Sequence, residues 1–402
     1  MGCLTIEEVG TEEEFLSLEP VWNDVVQRSD MDHPFFTFEW LSTWWKAFGK
    51  NKELFILLVK DGAEIIAIAP LMKVRMKWRG MPVSAVSLMT NEHSYRSGII
   101  IGKNDERIGT AIVDHLQASA CRCDIMKFDL IPQDSLSYKI LRDALELKEV
   151  AYVEMRSSHS PYIAITGSWD DYLKNRSRNL RSKLKLTFNQ MKRQDSLEAV
   201  QYTSADISQA IAEVLAISRN TWKYKAGTAI ASDPASTFFY ASLAEKAAAK
   251  GWLSIRVLKL KGTPVAFTYN LDYGKKSYYL KTGFNEAYRN LSTGGFLIFT
   301  SIKECFEKGF VEYDLLGSSE AYKMQLTPLF REQRKSIVFG NSLFSKPLYF
   351  FETVVMPRVK HLFSKKQKID LTGAVAVVPG NDVRAGSGPE AGNGKISGKS
   401  VQ

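Results

Sequence analysis

Between Ala287 and Lys323 the chain sets Ser292-Thr293-Gly294-Gly295 directly before an apolar, periodic stretch, then Glu312-Tyr313-Asp314 and a turn ending in Tyr322-Lys323. The periodicity predicts a helix over Gly294–Glu307 followed by a strand over Val311–Leu316. The first amides of a helix have no partner within it, and with the helix dipole they favour an anion such as a phosphate. Ser292 or Thr293 is expected to cap one of them, while Gly294 and Gly295 let a ligand approach the others closely. The same four residues also suit a helix start that holds nothing, and alone they do not choose.

A second signal for an anion lies in Lys174–Arg193, which has eight basic residues and no acid. Leu173, Leu180, Leu184, Phe188 and Met191 recur at helical spacing, so an amphipathic helix with one cationic face is expected. Such a face is either solvated or met by an anion that relieves its self-repulsion. On the second reading Arg178, Arg181 and Lys185 bind an anionic substrate, which could be a nucleotide sugar, the phosphates of CoA, an acidic glycan or tRNA.

Other chemistries find no support. Four cysteines in 402 residues make no disulfide framework, and Cys121-x-Cys123 with His115 lacks a second ligand pair, so no metal is expected. There is no G-x-S-x-G elbow and no G-x-x-x-x-G-K loop. The net charge of +9 includes +5 from Arg358–Gln402, and it does not call for DNA. No run of 18 apolar residues occurs, and MGCLTIEEVG lacks the basic and apolar regions of a signal peptide. Gly2 has Ile6 where a myristoylation motif needs Ser or Thr. The expected location is the cytoplasm of a bacterial cell.

The elements that must position these residues fall into two similar halves. In the first, an aromatic helix in Pro34–Gly49 opens at Thr37, and two strands over 54–60 and 64–72 meet at Asp61-Gly62. Strands at Val83–Leu88 and Gly98–Ile101, a helix over Glu106–Ala120, a strand at Ile125–Ile131, a helix over Leu136–Leu147 and a strand at Tyr152–Met155 follow. In the second, strands over 253–260 and 264–273 flank Lys261-Gly262, and a strand over 276–282 leads to the glycine-opened helix. The matching order points to duplication of one α/β (α+β) unit. Only the second copy has glycines at the helix start; the first reads NDERIGT there.

This order of elements resembles the GNAT acyltransferase fold. More narrowly, FEWLSTWWKAFG with IAIAPL, RSRNLRSKLK and TGGFLIFTSIKECFEKGFVEYDLLGSSEAYK resemble the cellulose-biosynthesis (CelD/BcsL-like) acetyltransferase group over roughly residues 20–340. The resemblance implies two tandem GNAT-like units, each a mixed, mostly antiparallel sheet flanked by helices. It implies acetyl-CoA as co-substrate, with no permanently bound cofactor, its pyrophosphate held by Arg289, Ser292, Thr293, Gly294 and Gly295. The loop departs from the usual Arg/Gln-x-x-Gly-x-Gly/Ala signature, since Arg289-Asn-Leu-Ser-Thr-Gly-Gly keeps only the final glycines. The chain also resembles the Fem aminoacyl-transferases, tandem GNAT units that use aminoacyl-tRNA, and Tyr322-Lys323 matches the place of their Phe-Lys.

Acyl transfer needs an anchored donor, a stabilised oxyanion and removal of a proton from the acceptor. The resemblance gives Lys323 the oxyanion or a phosphate, Asp314 the role of base or acceptor-orienting carboxylate with Glu320 in reserve, and Tyr322 or Tyr279 the return of a proton to the thiolate. Asp314 also suits a structural cap of the following turn, and the tyrosines also suit core packing. No Ser, Cys or His stands out as a covalent nucleophile, so transfer is expected within a ternary complex. The expected organisation is a degenerate GNAT-like unit over 1–165, a catalytic unit over 166–345 and a tail over 346–402. The acceptor is an anionic small molecule or glycan in cell-surface polysaccharide production; tRNA enters only if the protein is Fem-like. A catalytically silent scaffold of a polysaccharide synthase is the remaining alternative. The apolar-basic stretch 346–366 is expected either to pack on the protein or to make a peripheral membrane contact, and a disordered tail follows from about Asp370.

Overall fold

A computed structural model describes residues 3–118, 123–202, 204–340, 342–356 and 358. In chain order the strands are β1 (Leu4–Val9), β2 (Glu53–Leu54), β3 (Ile56–Asp61), β4 (Glu64–Ala69), β5 (Leu71–Trp78), β6 (Met81–Leu88), β7 (Ile100–Ile101) and β8 (Ile125–Pro132). They continue with β9 (Tyr152–Ala164), β10 (Leu197–Tyr202), β11 (Leu253–Leu260), β12 (Thr263–Tyr273), β13 (Lys276–Phe284), β14 (Glu312–Asp314) and β15 (Phe330–Phe339). The hairpin glycines act where expected. Lys261 and Gly262 both take positive φ, 50° and 76°, as a type I′ turn between β11 and β12 requires.

The repeat is visible in the pairing. A four-stranded sheet runs β1-β3-β4-β7, and an eleven-stranded sheet begins with the same order, β10-β11-β12-β13. A helix follows each set, Arg107–Ala118 in the first half and Thr293–Glu307 in the second. Beyond β13 the large sheet continues β14-β9-β15-β8-β6-β5-β2. The last strand of each half therefore pairs with the other half: β9 lies against β14, and β15 lies between β9 and β8. The architecture is mixed α/β, with two similarly ordered halves whose sheets are mostly antiparallel.

Local chemistry explains where elements stop. Thr37 caps the Phe38–Phe48 helix by accepting from Trp40 N at 3.3 Å. That helix buries Trp40 and Trp44, and Trp40 meets Phe239 of the Pro234–Ala249 helix edge-on at 5.1 Å, so both halves share one aromatic core. The basic stretch is two helices rather than one. Trp169–Lys174 ends before Arg178–Lys192, which Ser177 starts by accepting from Leu180 N at 3.2 Å. β9 is far longer than Tyr152–Met155, and β14 is shorter than Val311–Leu316, because Leu316 and Gly317 take positive φ (52° and 64°) and turn the chain away.

The described residues up to Phe351 form one compact unit, and those from Glu352 on belong to a second. Of the 346–366 stretch, a short helix covers Ser345–Phe350, with a π-helical turn over Phe351–Val355. The tail expected from Asp370, and Cys121 of the C-x-C pair, lie outside the described residues. Among the described residues no helix is long and apolar enough to cross a membrane.

Candidate functional site

β13 and β14 run parallel and pair only over Lys276–Tyr278 and Glu312–Asp314. Past that point β13 continues to Phe284 while the other chain turns off at Leu316, so a cleft opens between them. Two carbonyls of β13 face it. Leu280 O accepts from the Tyr95 hydroxyl, and Thr282 O accepts from Lys223 Nζ at 3.1 Å. Tyr95 comes from the first half, so both halves wall the cleft.

The glycine-opened helix begins beside this cleft. Ser292 is its N-cap residue, but in a left-handed conformation (φ 53°, ψ 35°) and with no side-chain cap bond. Thr293 Oγ1 is buried without a partner. The expectation that Ser292 or Thr293 caps the helix is therefore corrected, since neither hydroxyl reaches an amide. Among the described residues no acceptor takes the amides of Thr293, Gly294 and Gly295; the first bond of the helix is Phe296 N to Ser292 O at 2.9 Å. A Cβ on Gly294 would stand 3.3 Å from the Phe284 ring, whereas one on Gly295 would meet only Ser292 Cβ at 4.0 Å. Open space thus lies in front of Gly295. Arg289 is exposed on the 3-10 turn just before.

The equivalent helix of the first half is closed. Asp105 Oδ1 accepts from Arg107 N at 3.0 Å, and the Asp105 carboxylate is also gripped by the Arg107 guanidinium. A carboxylate of the chain occupies the place where an external anion would sit.

The basic helix packs against the glycine-opened helix and the 3-10 turn before it. Arg176, just before it, donates to Leu326 O at 3.0 Å, and Gln190 donates to Asn290 O at 2.8 Å. Leu180, Leu184 and Phe188 pack inward, with Phe188 5.1 Å from Phe296 at the ring centres. Arg178, Arg181 and Lys185 are all exposed.

Asp314 is not placed to be a base. It is fully buried, ion-paired to Arg96 and to Arg331 at 3.4 Å, and it accepts from Leu316 N at 3.0 Å. Arg331 in turn grips Glu312 at 2.5 Å and lies 3.9 Å over the Tyr162 ring. With its oxygens taken by two guanidinium groups and an amide, Asp314 fixes the floor of the cleft and the turn after β14. Lys323 is buried, donating to Leu316 O at 2.7 Å and pairing with Glu320 at 2.5 Å; burial lowers its pKa. Glu320 is half exposed at the cleft edge. Tyr322 is partly exposed and Tyr279 buried, and burial raises the pKa of both phenols, so both stay protonated near neutral pH.

Around β13 lie residues that the sequence reading passed over: Tyr95, which donates to Leu280 O, Lys223, which donates to Thr282 O, and Lys281, which lies over the Tyr240 ring. A lysine directly after the apolar and aromatic run Tyr278-Tyr279-Leu280 was the available signal for Lys281.

Residues 175–324 match the family described as "Acetyltransferase (GNAT) domain", a segment that contains the basic helix, the glycine-opened helix and Lys323. No curated protein sequence matches the chain. Among solved structures, FemX matches 85% of this chain and 98% of its own at 13% identity, with a TM-score of 0.57. L-PGS from Bacillus licheniformis matches 87% and 99% at 12% identity and 0.52. The C-terminal domain of a putative lysylphosphatidylglycerol synthetase from Agrobacterium fabrum matches 80% and 92% at 13% identity and 0.51. Identities this low speak for the fold alone. Residues 175–324 thus match a GNAT acetyltransferase domain, within a body whose fold resembles those of FemX, L-PGS and the Agrobacterium fabrum domain.

Proposed function

We propose that the protein transfers an acyl group directly from acyl-CoA, with acetyl-CoA the leading donor, to an amine or hydroxyl of an anionic acceptor. The observation that carries this reading is the open helix start at Thr293-Gly294-Gly295 beside the β13/β14 cleft. Three unpaired amides at the positive end of a helix suit the donor pyrophosphate, and the cleft leads from there to Lys323. The acceptor nitrogen or oxygen attacks the thioester carbonyl, and Glu320 takes its proton. Lys323 faces the developing oxyanion. As the carbon–sulfur bond breaks, the Tyr322 phenol gives its proton to the thiolate. Assigning the base to Glu320 follows from the burial of Asp314.

The setting we assign is cell-surface polysaccharide production, supported by the sequence motifs alone. Acetyl-CoA should raise the thermal midpoint of the wild-type protein and leave that of Gly295→Glu unchanged. Equal shifts in both proteins, or none in either, would remove the donor from this helix start.

A second reading takes aminoacyl-tRNA as donor. Its support is the exposed row Arg178, Arg181 and Lys185 together with the fold likeness to FemX. Filter binding of aminoacyl-tRNA with a steep salt slope, reduced in Arg178→Gln/Arg181→Gln/Lys185→Gln, would favour it.

A further inference from the structure

Two ammonium groups beside β13, those of Lys223 and Lys281, make no ion pair among the described residues. The register of β12 against β13 steps from Tyr269 opposite Lys281 to Asn270 opposite Tyr279, leaving Leu280 unmatched. Such a bulge bends its strand and re-aims the side chain that follows. Lys281 consequently lies over the Tyr240 ring, 5.5 Å from its centre. No hydrogen bond or ion pair engages its ammonium among the described residues. Lys223, from the short Trp222–Lys225 helix, donates only to the neutral carbonyl of Thr282. Lys223 and Lys281 line one small cavity with Thr221, Phe267 and Thr282.

The groups around them do not neutralise this charge. Lys323 adds a third ammonium, and its ion-pair partner Glu320 also acts on Lys223, but only as a more distant charge. Glu92, on the loop between β6 and β7, is largely solvent-exposed and acts on Lys281 only as a distant charge. His93 beside it is held neutral, its pKa lowered to about 4 chiefly by burial. Tyr95 is partly buried and Tyr240 fully so, and burial raises the pKa of both phenols, so they present no negative charge. Burial, with the charges of Lys223 and Lys323, lowers the Lys281 pKa to about 8. Like charges held together away from water destabilise the free protein unless something opposes them.

We propose that Lys223 and Lys281 together bind an anionic group of the acceptor, a carboxylate or a phosphate, and so hold its nucleophile in the β13/β14 cleft. This rests on reading that cleft as the acyl-transfer site. It names the acceptor's chemical class and separates its anion site from the donor's, which lies at Gly294 and Gly295.

The test uses inorganic phosphate and succinate as probes on the full chain at constant ionic strength. The readout is the thermal midpoint of wild type, Gly295→Glu, Lys223→Met, Lys281→Met and Lys281→Arg. One probe or both should raise the midpoint of wild type and Gly295→Glu alike. The apparent Kd should rise at least ~10-fold in each Met variant, the loss expected from removing one charge-assisted contact, and Lys281→Arg should recover most of it. Phosphate alone acting points to a phosphorylated acceptor, and succinate alone to a carboxylate. The proposal is overturned if wild type responds to neither probe, or if the response survives both Met variants. Acetyl-CoA should still shift both Met variants; if that shift fails in wild type, the acyl-CoA reading falls, whatever the anion probes show. Far-ultraviolet circular dichroism verifies that each variant is folded.

Discussion

Arg96 and Asp314 stand 218 residues apart in the chain and share a buried ion pair. Arg96 belongs to a loop of the first half and Asp314 ends the last cleft strand of the second. The pair therefore builds the cleft floor from both halves, alongside the exchange of β9 and β15. Removing one partner of a buried pair strands the other charge, at a cost of about 3–5 kcal/mol. Arg96→Met should lose about that much in denaturant unfolding, whereas a loss under about 1 kcal/mol would mean that Arg331 alone holds Asp314.

Lys281 should act in the opposite direction. Its folded pKa of about 8 lies below its ordinary value of 10.5. Between those two pH values the unfolded chain binds more protons, so stability from this group rises with pH across that window. The penalty is complete below the folded value and gone above the unfolded one. Lys281→Met should therefore raise the thermal midpoint near neutral pH, by about 2 °C or more. The gain should shrink as pH climbs through the window. A midpoint that falls near neutral pH would contradict an uncompensated ammonium.

Glu320→Gln keeps a hydrogen-bond acceptor for Lys323 but cannot take a proton. It should lower kcat by about 10²–10⁴ and leave the acetyl-CoA KM within about threefold, as expected for loss of a general base. Activity should recover partly at higher pH, where an amine acceptor arrives already deprotonated. A flat pH profile with unchanged kcat would dismiss Glu320.

Tyr322→Phe removes the phenolic proton and keeps the ring. We expect kcat to fall by about 10–100-fold with a fully soluble, folded protein. The loss should be smaller with acyl donors whose leaving thiol is more acidic. Equal losses for all donors would give Tyr322 a packing role.

Much of the frame was legible in the sequence where local chemistry dictates it. Lys261-Gly262 fits a turn that needs positive φ, Thr37 is a good cap, and the Gly294–Glu307 periodicity marks its helix closely. The fate of β9 and β15 was not legible, because a strand's own pattern does not say which distant strand it joins. Asp314 looked like a base because nothing local reveals Arg96 or Arg331. Ser292 and Thr293 were expected to cap the helix start, but the left-handed turn at Ser292 leaves neither hydroxyl on an amide. Lys281 owes its position to a bulge, which sequence pattern alone does not disclose.

The central claim is that the donor pyrophosphate sits on the amides at the start of the Thr293–Glu307 helix. Selective labelling of the 26 glycines with nitrogen-15 allows their amides to be followed while CoA is added. The account predicts that the Gly294 and Gly295 resonances move with saturation, while Gly109, in the closed helix of the first half, stays still. CoA that binds without moving Gly294 and Gly295 would contradict it.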